Sequence, residues 1–286
     1  MNVTRRLSHC LFWLAYRQHP IAVENPRGPA VLHWNVEEEL PAEIAEVIAD
    51  LRSRADAFIF LSGGASNMAK RDLDALLDLF RCFETLSARG LRFAVGDGGT
   101  KAGIMEAVGR ARAASGRAFP LVGVAPAKEV GTDERSGSTA IETNHSHILT
   151  VTNEPWLEAQ KEKGWEPSFG YWGSETEAMY EIFDRLSAGR ASAAIVANGG
   201  AKTLDEVELN LQQGRRMILI SGSGRVADGL VAALEGASTD FRDIDGFRER
   251  VSSLQVSKRR DSFRVFPLEA GPEALADLLM RELSAR

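Results

Sequence analysis

The chain has 286 residues, a formal net charge of −6, 26% charged and 44% hydrophobic residues. This is the composition of a soluble globular protein long enough for a sizeable core, and its acidic balance excludes the broad basic field that nucleic-acid binders carry. Two cysteines, Cys10 and Cys82, at no metal spacing, exclude a disulfide framework and fit a reducing compartment, and no apolar run approaches a membrane span.

Thr4-Arg5-Arg6-Leu7-Ser8 faintly resembles an export signal. The apolar part after it, Cys10 to Tyr16, is short and has no small-residue cleavage site. The expectation is a cytoplasmic protein with an irregular segment over residues 1–30 and one domain over 31–286. Val31–Val36 reads as a short edge strand. Glu38–Arg54 reads as a helix, with Leu40, Ile44, Val47, Ile48 and Leu51 on one face. A strand, Ala57–Leu61, follows. The spacing of Leu73, Leu76, Leu77, Phe80 and Phe83 predicts one helix over Lys70–Ala88, ended by Gly90.

Leu91–Val95 is the next strand and leads into a glycine cluster and a helix of small residues. Phe119–Val124 and His147–Val151 are strands. Residues 127–144 and 154–173 read as two long loops, the second with Trp156, Trp165 and Trp172. Ser174-Glu175-Thr176-Glu177 is the pattern of a capping box opening a helix over 175–187, closed by Gly189. Strand, glycine loop and helix then occur twice more, on Ala193–Ala197 and Met217–Ile220. Residues 236–262 are polar with an irregular helix, Phe263–Leu268 is a last strand, and Pro272 begins a terminal helix. Alternation of this kind predicts an α/β fold: a doubly wound, mostly parallel sheet with helices on both faces.

Four strands end in glycine clusters. They are Ser62-Gly63-Gly64, Asp97-Gly98-Gly99-Thr100-Lys101, Asn198-Gly199-Gly200 with Lys202 and Thr203, and Ser221-Gly222-Ser223-Gly224-Arg225. Glycine lets the backbone take positive φ and lets a ligand approach it. The helix that follows offers unpaired N–H groups and a partial positive charge, a ready anion site. The spacing fits neither a dinucleotide fingerprint nor a Walker A loop. In a parallel sheet all four clusters converge on one edge, where ligands bind. Thr203 and Glu206 also fit a plain capping box; the other reading turns Thr203 to a phosphate and Glu206 to a sugar. Arg225 suits a phosphate or carboxylate. Asn144-His145-Ser146-His147 reads as a polar loop lining the same cleft. Its two histidines lack a third ligand, so no metal and no cofactor is expected. Trp165, Phe169, Tyr171 and Trp172 either stack a base or pack their loop.

Taken in order, several motifs resemble the amino-terminal homology region of melastatin-type TRP channels. They are Gly96-Asp97-Gly98-Gly99-Thr100-Lys101-Ala102-Gly103-Ile104-Met105, Asn144-His145-Ser146-His147, Gly170-Tyr171-Trp172-Gly173, Gly199-Gly200, and Gly222-Ser223-Gly224-Arg225 with Ala227-Asp228. They look most like that region's stand-alone prokaryotic relatives, the LSDAT branch of the SLOG superfamily, over roughly residues 55–235. Gly199-Gly200 with Thr203 and Glu206 also resembles the Pro-Gly-Gly-x-Gly-Thr-x-x-Glu motif of the lonely-guy phosphoribohydrolases. Here Asn198 replaces the proline and Lys202 a glycine, departures that point away from hydrolysis. The resemblance implies a Rossmann-like fold and a sensor or binding domain for a nucleotide-derived ligand, ADP-ribose or an NAD-derived signal. The alternative it leaves open is an N-glycosidic hydrolase with Glu206 as acid/base. The implied partners are that small molecule and either a second copy or an effector, with no nucleic acid and no membrane span.

Overall fold

Apolar runs punctuated by glycine and proline decide where the strands form. The computed structural model describes residues 28–64, 68–131, 138–164, 166, 170–237, 239–241 and 244–284. Most of the expected irregular segment 1–30, and the aromatics Trp165 and Phe169, lie outside the described residues.

In chain order the elements are β1 (Ala30–Asn35), α1 (Ala42–Arg54), β2 (Ala57–Gly63), α2 (Lys70–Leu79), α3 (Cys82–Ala88), β3 (Phe93–Asp97) and α4 (Gly103–Ala114). Then come β4 (Leu121–Pro126), β5 (Val130–Gly131), β6 (Thr139–Ala140), β7 (His147–Thr152), α5 (Glu154–Lys161) and α6 (Thr176–Ser187). The remainder is β8 (Ala191–Ala197), α7 (Ala201–Gln212), β9 (Arg216–Ser221), α8 (Arg225–Leu234), α9 (Phe247–Ser253), a 3₁₀ turn (Val256–Ser262), β10 (Phe263–Pro267) and α10 (Gly271–Ser284).

Eight strands make one sheet in the order β1-β7-β4-β3-β2-β8-β9-β10, and every pairing in it is parallel. From β2 the chain builds outward through β3, β4 and β7, then crosses to β8 and builds the other way. The boundary between β2 and β8 is therefore the topological switch point, the place where such sheets open a crevice. Ala57, Ile59 and Leu61 of β2 face α2, α3, α4 and α10. Phe58 and Phe60 face α1 and α6, and β8 and β9 face α7 to α9 on the same side. Both faces are buried, which is why the strands read as continuous apolar runs rather than alternating ones.

Three local readings are corrected. The helix expected over Lys70–Ala88 is two, broken at Phe80–Arg81, and the break lets Phe80 and Phe83 both enter the core with ring centroids 5.6 Å apart. The second long loop contains α5, whose start is set by Asn153: its side chain accepts the Trp156 N–H at 3.0 Å, with Pro155 in the first turn. No capping box forms at Ser174. Glu175 instead turns its carboxylate back onto the Gly173 N–H, 2.8 Å away.

After β3 the chain doubles back over the sheet. Gly99, at φ 70°, crosses so close to Gly123 of β4 that a Cβ on either would fall against the other's backbone. Gly123→Ala is therefore expected to destabilise the fold by about 1–3 kcal/mol through overpacking. Denaturant unfolding of the variant, at unchanged m-value, measures it.

Candidate functional site at the carboxyl edge of the sheet

The switch point is closed by backbone on backbone. Gly64 donates its N–H to the Ala197 carbonyl (3.3 Å), and Gly63 packs so close to the same carbonyl that no side chain fits. Ile104 of α4 donates to the Gly64 carbonyl (3.0 Å), so α4 starts beside the end of β2. Asn198, at φ 56°, joins this edge to the next loop: its N–H donates to Ser223 Oγ and its Nδ2 to the Ser223 carbonyl, both at 2.8 Å. A proline at this position has no N–H to give, so the departure from the hydrolase motif has a structural use here. The Ala227 N–H closes the arrangement on the Asn198 carbonyl at 3.0 Å. The loops at 62–64, 198–200 and 221–225 are thus one contiguous edge, as their sequence pattern predicts.

Two of the expected anion cradles fill themselves. The N–H groups of Gly222 and Gly224 donate to the two oxygens of Asp228, at 2.7 and 3.0 Å. The Gly200 N–H donates to Thr203 Oγ1 at 3.1 Å. Thr203 is therefore a cap, whereas Glu206 is not its capping partner. Arg225, at φ 51°, extends its guanidinium over Gly200, where a Cβ would lie 3.7 Å from either terminal nitrogen. Lys202 reaches the other way, packing on Gly173 with its ammonium 5.6 Å from the Trp156 ring centroid. The Lys202 and Lys101 side chains are exposed.

The glycine turn after β3 is pinned from below. Asp97, wholly buried, accepts the Gly99 N–H at 2.7 Å and faces His145 Nε2 at 2.8 Å; His145 Nδ1 faces Glu142 at 2.9 Å. Glu142 also accepts the N–H and Nδ2 of Asn144. Thr100 is buried and bridged to Ile141, and Gly98 packs near Met105. So Asn144 and His145 support the edge from beneath α4: the His145 side chain has no exposed surface with which to line a groove. Burial by itself pushes an imidazole's pKa down, but the Asp97 and Glu142 carboxylates prevail and raise His145 to about 9.

A second buried network lies on the opposite face. Ser62 Oγ is 3.0 Å from Tyr180 Oη, Asn210 Nδ2 donates to that phenol oxygen at 2.8 Å, and Arg215 Nη1 donates to Asn210 Oδ1 at 3.3 Å. Glu206 lies beside Ser62. The residue keeps some exposed surface, yet its Oε2 is sealed from solvent and has no partner among the described residues. Burial raises its pKa to about 8, helped by Glu175, Asp205 and Asp97, while the Ser62 hydroxyl acts in the opposite sense. Burial likewise lifts Glu175 to about 7, against the pull of hydrogen bonds and Lys202.

Among the described residues no cluster of three side chains suits a metal ion, and no helix is long and apolar enough to cross a membrane. Sizeable surface hollows lie away from the loops. One of about 330 Å³ sits between α8 and α9, and one of about 360 Å³ lies at the opposite sheet edge beside Arg54, Arg92 and Arg117. Three helices end at the latter, so its arginines complement carbonyl ends.

An all-parallel sheet whose glycine loops meet at the switch point defines a Rossmann-like ligand-binding domain. The chain belongs to the prokaryotic LSDAT family, described as SLOG in TRPM, prokaryote, which matches residues 56–274. No curated protein matches it. Membership supports a nucleotide-related binding or sensing role in general terms.

Sequence reasoning missed Glu142, Tyr180, Asn210 and Arg215 as parts of this edge, and gave Asp228 a place in a motif but no role. Asp228 had a signal, a carboxylate four residues past Gly224 in a first helical turn. Tyr180 and Asn210 had none, being ordinary inward positions of amphipathic helices.

The His145 pKa is raised on folding, so its contribution is full below about pH 6.5 and is lost as pH rises through about 9. The size is on the order of 3 kcal/mol. Denaturant unfolding at pH 6 and pH 9.5 is expected to show a larger loss in the native protein than in His145→Gln, which keeps only the part contributed by the raised Glu206 and Glu175 carboxyls as they ionise.

Proposed function

We propose that the chain is a cytoplasmic sensor that binds a nucleotide-derived ligand, ADP-ribose or an NAD-derived signal, at the carboxyl edge of the sheet without turning it over. One observation carries this reading. Asn198 and Arg225 are non-glycine residues held at positive φ in the paired loops at the switch point, with the Arg225 guanidinium over Gly200. Strained backbone of this kind gathers at ligand sites. The phosphate is expected at the start of α7, on the Ala201 and Lys202 N–H groups beneath Arg225, since Asn198 Oδ1 and Thr203 Oγ1 already take the Gly199 and Gly200 N–H groups. The Ser221–Gly224 turn contributes shape rather than donors, since Asp228 takes its Gly222 and Gly224 N–H groups. Ser62–Gly64 and Asp97–Lys101 form the floor and the far wall, and Asn144 and His145 hold that wall. Such a sensor would report to a second copy or to an effector protein.

A second reading, N-glycosidic hydrolysis, has one observation in its favour: Glu206 holds its proton up to about pH 8, as a general acid must. Incubation with ADP-ribose, NAD and nucleoside monophosphates separates the two. Free base released by the native protein and not by Glu206→Gln establishes the hydrolase; intact nucleotide supports the sensor.

For the sensor, Arg225→Ala is expected to weaken ADP-ribose binding by about 10- to 100-fold, the loss of one charge-assisted hydrogen-bonding group. Arg225→Lys restores part of it, because an ammonium lacks the planar fork. Titration calorimetry with circular dichroism as the folding control tests this, and unchanged affinity in folded Arg225→Ala would remove the arginine from the site.

A further inference from the structure

The hydrogen bonds beneath Glu206 run in one direction. Arginine is a donor only, so Arg215 assigns Asn210 Oδ1 as acceptor and leaves Nδ2 to donate to Tyr180 Oη. Tyr180 then has one acceptor in reach for its own hydrogen among the described residues, Ser62 Oγ. The Ser62 hydrogen is left to point to the carboxyl beside it. The far end is anchored: Arg215 bonds Gln213 and Ser187 and lies 4.5 Å from the Phe60 ring centroid. Asn210 Nδ2 also donates to the Glu206 carbonyl at 3.0 Å, fixing α7 against the chain.

The Ser62 hydroxyl therefore faces the Glu206 carboxyl, whose Oε2 is buried without a partner among the described residues. The charged groups around the carboxyl are mostly acidic: Glu175 at the head of α6, Asp205 on α7 and Asp97 on β3. Lys202 acts on Glu175, and Arg215 stands at the remote end of the chain of bonds. A second negative charge here is disfavoured, whereas a neutral acid carries a hydroxyl whose hydrogen has nowhere to go within the protein.

We propose that Glu206 recognises the ligand as a neutral acid, donating a hydrogen bond to an uncharged acceptor such as a base carbonyl, a ring nitrogen or a sugar hydroxyl, and that Ser62 and Tyr180 are positioning residues that aim it. This rests on the nucleotide-binding reading above. It assigns Glu206 to the sugar or base and leaves the phosphate to the start of α7.

Two measurements test it. In the ligand-free protein, infrared spectroscopy at pH 7 is expected to show a protonated-carboxyl band that Glu206→Gln removes. Its titration, near pH 8 in the native protein, should move upward in Tyr180→Phe, which keeps the ring but loses the donor to Ser62. A missing band, or a midpoint unmoved by Tyr180→Phe, overturns the aimed neutral acid. In calorimetry with ADP-ribose, Glu206→Gln still donates and should stay within a few-fold of native affinity, independent of pH. Glu206→Ala should lose about tenfold or more, the worth of a single buried hydrogen bond. Native affinity should fall above pH 8. Equal losses in the Gln and Ala variants, or tighter native binding above pH 8, overturn the proposal. Should neither ADP-ribose nor NAD bind at any pH, the recognition role falls with the nucleotide reading; the infrared band then shows that the fault lies in the ligand class and not in the acid.

Discussion

A parallel sheet obliges every strand to end at the same edge, and this one has helices over both faces. The chain must therefore leave the edge by tight turns, with neighbouring backbones nearly in contact. Gly63 against the Ala197 carbonyl and Gly99 against Gly123 are where that crowding is greatest. Glycine is required at these points because a Cβ has no room. The form of the carboxyl edge is thus a consequence of how β2, β3 and β8 are packed.

Two buried polar networks hold the edge, one on each face. Under α4, His145 sits between Asp97 and Glu142 and fixes the turn after β3. Under α6 and α7, Arg215, Asn210, Tyr180 and Ser62 form a chain of bonds that ends at Ser62, beside Glu206. The two differ in kind. The first is ionic, with a cation between anions, and breaking it would leave a buried charge uncompensated. The second is a line of neutral donors and acceptors attached to one guanidinium, and its effect is to give a buried acid a direction.

The glycine loops are less empty than their pattern suggests. Asp228 and Thr203 take up N–H groups that a phosphate would otherwise meet. A carboxylate in the first turn is what a helix start favours electrostatically, so the fold supplies its own anion at α8. Arg225 extends its guanidinium over Gly200, and Lys202 packs on Gly173.

Much of the fold was legible in the chain itself. Doubly buried strands are continuous apolar runs, and their alternation with amphipathic helices leaves few topologies. The glycine clusters showed that the ends of β2, β3, β8 and β9 carry special backbone. The Asn153-Glu154-Pro155 start of α5 was readable too, but its polar surroundings hid it. The break at Phe80 was not, because both halves keep helical spacing. What only the tertiary structure decided was which polar residues meet. Asn144 and His145 went beneath the sheet edge rather than into a groove, because a carboxylate 48 residues away, Asp97, was there to receive the imidazole. Glu206 became an acid with one buried oxygen rather than a helix cap, because β2 and α6 brought Ser62 and Tyr180 beside it. Local pattern determines where the chain turns; burial and long-range hydrogen bonding determine what each polar group is for, and those depend on neighbours that a linear spacing does not contain.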